Sequence, residues 1–369
     1  MNLTVSALSE SELLARIFPH LGTNEFVELG PGDDCAVVAA PSGRFVVSTD
    51  VLVQDVHFSM DWSTGFEVGW RAVMQNLSDI SAMGAVPSSL VVGLAMPPAT
   101  EVSWMEDFAR GLAAASRVFG AAVVGGDLSS GPAVFISVTV HGHMGLGLTP
   151  IRRSGAQVGD VVAHCGLLGW SAAGLAQLGG NELSQAEPDH SGSGDHGVGN
   201  QNRRKSAEQL FRTPMPPVGA GERAARAGAH ALMDVSDSLV RDAGRMGRAS
   251  AVVLELDADA VLAHGDRLDP AYARWEDGIP ESMRTLPQDL GSLPAHNQAQ
   301  RLERKLIGGE DHGLIATFAA DADLPAGFKA IGRVRGIAAD NERSRLAQGG
   351  VTVTGVDMDA LGEGWDHFR

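Results

Sequence analysis

The chain has 369 residues, 44% of them apolar and 20% charged, which is enough material for two cores of ordinary size. A net charge of −17 argues against nucleic acid or an anionic membrane as partner, because both demand a basic surface. It does not exclude phosphate ligands, since metal ions between carboxylates and phosphates reverse the local sign.

The only cysteines, Cys35 and Cys165, are far apart, which argues against a disulfide framework and a thiolate zinc site. The N-terminal stretch MNLTVSALSESELLARIF carries acids early and has no basic segment before an apolar core, so no secretory leader is expected. No apolar run approaches the roughly 18 residues of a membrane span. The expected location is cytoplasmic.

In chain order, RFVVSTD (44–50) reads as a strand. Residues 64–83 read as a helix, with Trp70, Val73, Met74, Leu77 and Ile80 at helical spacing. SSLVVGLAM (88–96) reads as a strand, and 101–118 as a helix stopped by Gly120. Strand AAVV (121–124), turn GGD (125–127) and strand AVFISVTVHGH (133–143) follow. The Gly-rich stretch 145–160 reads as a join, so the expected domains are 1–148 and 149–369. The second half opens with strand 160–166 and helix 170–178. Residues 180–206 are polar and Gly/Ser-rich, which predicts a mobile surface insertion. A helix after Pro217, strand ALMDV (231–235) and a turn into SDSLVRDAGRM come next. Residues 264–304 predict an irregular helical excursion, and GLIATF (313–318) and FKAIGRV (328–334) two closing strands. The fold class is α/β (α+β), with helices packed on sheets.

Five short acidic motifs carry the candidate chemistry: GPGDD (30–34), STD (48–50), NLSD (76–79), GGD (125–127) and DVSD (234–237). Magnesium takes hard oxygen ligands and is held by a carboxylate or two plus substrate phosphates, so converging aspartates suit a Mg–triphosphate complex. The hydroxyls of Ser48 and Thr49 add neutral oxygens, and the glycines allow close backbone approach to phosphate. Any one of these aspartates can equally cap a helix or turn. A Walker A loop is excluded, because none of Lys205, Lys305 and Lys329 follows a glycine. A protein-kinase catalytic loop and a dinucleotide G-x-G-x-x-G are also missing. His141 and His143 share one side of a strand but lack a third ligand, and read as structural. Cys35 reads as a small buried residue and Arg203–Lys205 as a solvated cluster.

In order along the chain stand ELGPGDDCAVV, STDVLVQDVHF, AVMQNLSDISAMGAVPSSLVVGLAMP, VVGGDLSSGP, RRSGAQVGD, FRTPMPPVGAGERAARAGAHALMDVSDSLVRDAG, GGEDHGL and GWDHF. This set resembles the thiamine-monophosphate kinase family, within the superfamily of aminoimidazole ribonucleotide synthetase. The resemblance implies a two-domain fold whose N-terminal domain binds ATP and Mg²⁺ and pairs in a homodimer. It implies metal ligation by Asp33, Ser48, Thr49, Asp50, Asp79, Asp127, Asp234 and Asp237, with Asp34 a helper. ATP contacts would come from Gly126, Asp127, Arg153, Ser236 and the position of Phe119. Contacts to thiamine monophosphate would come from His57, Glu310 and Trp365. The site would then draw on both halves.

Three departures from the family pattern stand out. Phe119 replaces a frequent tyrosine, Ser238 a usual glycine, and Gly313 a larger residue. If position 238 needs a positive φ, serine would strain it. The implied reaction is phosphorylation of thiamine monophosphate to thiamine diphosphate, the final step of that biosynthesis. Its nucleophile is a phosphate oxygen already ionised at neutral pH, so no general base is needed and Asp50, Asp79 and Asp127 act through metal. The alternatives are another ATP-using enzyme of the superfamily (the aminoimidazole ribonucleotide, selenophosphate or hydrogenase-maturation type) or a non-catalytic Mg–nucleotide-binding regulator.

Overall fold

The computed structural model describes residues 3–29, 37–41, 43–179, 196–274, 279–337 and 349–361. They form two compact units. The first runs through Ser81 and from Ala85 to Leu148, and the second takes Ala82–Gly84 and most of the chain from Thr149 onward.

The first unit starts with α1 (Glu10–Ile17), opened by a capping box in which Ser9 and Glu12 exchange hydrogen bonds. The short strands β1 (Val27–Leu29) and β2 (Val37–Val38) pair antiparallel. The main sheet holds β3 (Phe45–Val53), β4 (Val86–Met96), β5 (Ala122–Ser130) and β6 (Phe135–His143) in the order β3-β6-β4-β5. Only β4 and β5 run parallel. Two longer helices, α2 (Gly65–Ala82) and α3 (Val102–Val118), also belong to this unit. A second capping box, Thr64 with Glu67, starts α2. The predicted apolar stripe is buried throughout: Trp70, Val73, Met74 and Leu77 are fully covered and Ile80 nearly so. Each such side chain contributes about 1.5–3 kcal/mol, which holds the polar residues of the same helix in place. Gly120 (φ 69°) follows α3 as expected.

One sequence expectation changes here. GGD is not a turn: residues 125–127 continue β5, with Asp127 in register with Gly93. A bulge between Leu90 and Val91 absorbs one residue of β5. Gly126 lies so close to β4 that a Cβ there would sit 2.0 Å from the Val92 carbonyl oxygen. Gly-Gly reads as a turn in sequence, but here it lets two parallel strands approach.

The second unit contains β7 (Val161–Cys165), α4 (Trp170–Leu178), α5 (His196–Arg212), α6 (Gly219–Arg226), β8 (Ala231–Val235) and α7 (Leu239–Ser250). It continues with β9 (Val253–Leu256), α8 (Ala258–Leu262), α9 (Glu281–Arg284), α10 (Gln298–Ile307), β10 (Gly313–Phe318), β11 (Lys329–Arg335) and β12 (Gly350–Val353). The sheet order is β12-β9-β11-β7-β10-β8, with β12 parallel to β9 and every other pair antiparallel. Ile315, Met233 and Val235 enter one core with Leu239 and Met246 of α7, while Leu314, Ala316 and Leu232 enter the other with Ala220 and Ala224 of α6. All six residues of β10 are therefore buried, which explains its unbroken apolar run.

The polar stretch 180–206 was expected as a mobile insertion. From His196 it is helical, and residues 180–195 lie outside the described residues. Ala207, Leu210 and Phe211, at i, i+3 and i+4, are buried and anchor α5 where it packs on α4. The irregular excursion after 264 is as expected, with a 3₁₀ turn at Pro270–Arg274 and two separate helices. Among the described residues no helix is long and apolar enough to cross a membrane.

Candidate active site

The STD segment lies on β3, an edge strand of the first sheet, and strand alternation divides it. Ser48 faces α2, where its hydroxyl donates to Asp79 Oδ2 at 2.5 Å. Asp50 shares that face with Ser48 and the fully buried Leu52. Its backbone N–H, on the unpaired edge, donates to Asn76 Oδ1 at 3.1 Å. Asn76 is completely buried, and its amide nitrogen donates to the Ala72 carbonyl at 2.8 Å, so its orientation is set from both ends. Asp79 and Asn76 lie one turn apart on α2. Two motifs far apart in sequence thus bring two carboxylates and a hydroxyl to one junction. Asn76→Ala would leave the Asp50 N–H without its partner. It is expected to cost about 1–3 kcal/mol, read as a lower urea midpoint with unchanged slope.

Thr49 points to the other face. Its hydroxyl donates to the Val138 carbonyl at 2.9 Å and receives one from Thr139 at 3.1 Å. Thr139 lies opposite Val91, and Ser137 opposite Gly93, which in turn pairs with Asp127. Asp127 is exposed, beside a cavity of about 1040 Å³ lined also by Gly125, Gly126, Thr139, His141 and Phe108. His141 and His143 fit the structural reading: their rings pack on Phe45 (5.7 Å) and Phe26 (4.7 Å). Burial lowers the pKa of His141.

His57 closes the turn after β3, where Asp55 takes a positive φ of 62°. The Val53 N–H donates to His57 Nδ1 at 3.0 Å, which makes Nδ1 an acceptor. Phe119 is half-buried at the C-terminal end of α3 and does not line the cavity.

In the second unit three neighbouring strands end at one edge. Cys165 of β7 pairs with Leu314, and Val235 of β8 with Gly313, so the segments after β7, after β8 and before β10 adjoin. Asp234 is the penultimate residue of β8, which Val235 closes, and Ser236 and Asp237 follow the strand. The Ser236 carbonyl accepts from the Glu310 N–H at 2.8 Å. Glu310 is held at φ 68°, and its carbonyl accepts from Ser171 Oγ at 2.8 Å. Asp311 is buried, takes the N–H groups of Gly169 and Ser171, and has its pKa raised to about 6 by burial. Asp237 pairs with Arg245 at 2.6 Å. Arg153 is exposed in a turn whose carbonyl accepts from Ser250.

Two of the departures have local explanations. Ser238 has φ 177°, extended backbone open to any residue, so the anticipated strain is absent. Its side chain instead caps α7 by accepting the Arg241 N–H at 3.1 Å. Gly313 lies against the fully buried His164: a Cβ there would be 2.5 Å from the ring's Nε2. Gly313→Ala is expected to cost about 1–3 kcal/mol. Combined with His164→Ala it should show a coupling of at least about 0.5 kcal/mol in a double-mutant cycle.

Asp33, Asp34, Cys35 and Trp365 lie outside the described residues. Among the described residues no three His, Cys, Asp or Glu side chains converge to hold an ion alone. The donors at the β3–α2 junction are carboxylate and hydroxyl oxygens. This hard set fits magnesium, an ion that keeps waters and substrate phosphates as its other ligands. Asn76 is the residue of the NLSD motif to which the sequence assigns no role; its signal is an amide three residues before Asp79 on a buried helix.

The four-stranded sheet with its acidic β3–α2 junction lies in the segment 32–144 that matches the family model "AIR synthase related protein, N-terminal domain". The protein is thus of the AIR synthase-related α/β class. It is 38% identical to the thiamine-monophosphate kinase of Mycobacterium tuberculosis (strain ATCC 25618 / H37Rv) over 331 residues, 90% of this chain and 86% of that protein. The crystal structure of thiamine-monophosphate kinase from Stenotrophomonas maltophilia K279a matches with a TM-score of 0.66 and 28% identity, covering 96% of this chain and 98% of that one. AaThiL complexed with AMPPCP and TMP matches with a TM-score of 0.65 and 28% identity over 91% of each chain. The chain belongs to the thiamine-monophosphate kinase family.

Proposed function

We propose that the protein transfers the γ-phosphoryl group of ATP to the phosphate of thiamine monophosphate, giving ADP and thiamine diphosphate. The observation that carries this reading is the β3–α2 junction, where Ser48, Asp50 and Asp79 gather oxygen donors around a buried Asn76. Family membership and the relative structure holding AMPPCP and TMP support the two substrates. In the reaction a phosphate oxygen of the acceptor forms a bond to the γ-phosphorus as the bond to the β-phosphate oxygen breaks. The acceptor oxygen is mostly ionised at neutral pH, its second pKa being about 6, so the protein need not remove a proton. Its task is to hold two polyanions in line. Mg²⁺, when bound, neutralises phosphate charge that the aspartates would otherwise repel.

In the first unit Asp50, Asp79 and Asp127 are proposed metal ligands, with the hydroxyl of Ser48 on the α2 face and that of Thr49 on the other; in the second unit Asp234 and Asp237 are proposed metal ligands. Gly126, Arg153, Ser236 and Phe119 are assigned to ATP, and His57 and Glu310 to the acceptor. The cavity beside Gly126 and Asp127 has the size of a small-molecule site. Purified protein with MgATP and thiamine monophosphate should yield thiamine diphosphate by chromatography. Folded protein that binds ATP without making product would sink the reading. A protein phosphorylated by labelled ATP alone would overturn direct transfer.

The same reading includes a homodimer through the first sheet. Phe45, Val47 and Val51 of β3 and Phe135 of β6 lie on one face and are exposed in the single chain. Contiguous apolar surface of this kind marks an interaction site, and a second copy supplies a matching face. Light scattering should give twice the chain mass, and Val47→Asp should shift the population toward monomer. A wild-type protein monomeric at all accessible concentrations would refute the pairing.

A further inference from the structure

The turn after β8 is organised by a residue outside the acidic motifs. Asp242, in the first turn of α7, is completely buried. One of its oxygens, Oδ2, accepts three successive backbone N–H groups, from Ser236 (3.1 Å), Asp237 (3.0 Å) and Ser238 (3.2 Å). Three donors converging on one atom leave the backbone of 236–238 a single arrangement. Its other oxygen, Oδ1, accepts from Arg245 Nη1 at 2.6 Å. The second terminal nitrogen of the same guanidinium, Nη2, lies 2.6 Å from Asp237 Oδ2. A carboxylate, a guanidinium and a second carboxylate thus form a chain from the core to the turn.

Ordinary helix capping does not account for this chain. The cap of α7 is already supplied by Ser238, whose hydroxyl takes the Arg241 N–H. The contacts of Asp242 go instead to residues that precede the helix. Nor is Arg245 a solvated surface charge: it is only one-third exposed and bridges two carboxylates in fixed geometry. The Ser236 carbonyl in turn holds the Glu310 N–H, so the setting of this turn passes to the segment before β10.

We propose that Asp242 and Arg245 are positioning residues for the acidic turn, Asp242 by fixing its backbone and Arg245 by aiming the Asp237 carboxylate. This rests on the reading of Asp237 as a metal ligand. With Oδ2 engaged by Arg245 at 2.6 Å and flanked by Arg241 Nε at 3.6 Å, the carboxylate presents Oδ1 in a direction set mainly by the shorter contact. Hydrogen-bonded partners of a ligating carboxylate set its orientation, and losing them costs metal affinity about 10–100-fold.

The test is a Mn²⁺ titration of the full chain followed by electron paramagnetic resonance, on wild type, Asp237→Asn, Asp242→Asn and Arg245→Met. Asp237→Asn defines the class of Mn²⁺ sites that depends on this turn. Asp242→Asn and Arg245→Met are expected to weaken that class about 10–100-fold. Both should lower kcat for the proposed transfer more than they raise KM for thiamine monophosphate. Arg245→Met keeps the three backbone hydrogen bonds of Asp242, so it carries the test if Asp242→Asn fails to fold. Wild-type Mn²⁺ affinity in Arg245→Met, with affinity lost in Asp237→Asn, would overturn the positioning role alone. Wild-type affinity in Asp237→Asn would overturn the ligand reading beneath it.

Discussion

Replacing Lys305 by methionine is expected to destabilise the protein by about 3–5 kcal/mol, the cost of leaving a buried charge without its partner. Lys305, on α10, has no exposed side-chain surface. Its ammonium donates to the carbonyls of Leu262 (3.1 Å) and His264, and to Asp266 Oδ2 at 2.7 Å. Asp266 also accepts from Trp170 Nε1 at 3.1 Å, so one ion pair ties α10, the segment after α8 and the start of α4. Burial lowers the pKa of Lys305, and Asp266 works against that shift. Methionine fills much of the space but strands Asp266 and two carbonyls. Adding Asp266→Asn should recover part of the loss, since the amide oxygen still accepts from Trp170. Urea unfolding measures both; a Lys305→Met cost below about 1 kcal/mol would show that the pair contributes nothing net.

The same variant has a pH signature. His164 and His264 share a hydrogen bond of 2.9 Å, and both have lowered pKa values, His264 to about 4. Burial is the first cause, and the Lys305 charge adds to it for both rings. A histidine depressed in the folded state gives stability that is present above pH 6.5. That stability is lost as pH falls toward the folded value, because the unfolded chain takes up the proton first. Removing the Lys305 charge should raise the His264 pKa and narrow that window. Imidazole resonances followed by NMR would report the change.

Local periodicity carried much of the fold. Trp70 to Ile80 and the continuous run of β10 are patterns that burial on one or both faces demands, and both appear where expected. What escaped depends on partners distant in sequence. β12 is four residues beside glycines and becomes a strand only because β9 supplies its parallel neighbour. GGD looked like a turn because glycine is as common in turns as in close strand approaches, and only the Val92 carbonyl decides between them. Asn76 and Asp242 are ordinary polar letters within helices. Their roles exist only through the Asp50 N–H and the 236–238 backbone. The division of Ser48 from Thr49, by contrast, is legible in the period of a strand, although the two residues share the motif STD.

That division yields the sharpest expectation for activity. Asp79→Asn keeps the volume at the β3–α2 junction and an oxygen to accept the Ser48 hydroxyl, but removes the negative charge. If transfer depends on this carboxylate holding an ion that screens two polyanions, kcat should fall by about 10²–10³, the cost of removing one preorganised electrostatic contact. The Mg²⁺ requirement should rise while the unfolding midpoint stays near wild type. Asp127→Asn, exposed on an edge strand, should also abolish turnover without loss of fold. Ser48→Ala should share the Mg²⁺ phenotype in milder form, because it loosens Asp79 through the 2.5 Å bond. Thr49→Val removes a hydroxyl bonded to Val138 and Thr139 on the opposite face, so it should leave the Asp79 phenotype untouched. Mg²⁺ dependence of initial rates separates the cases. Equal shifts for Ser48→Ala and Thr49→Val would mean that both hydroxyls serve one ion and that strand alternation does not partition the site.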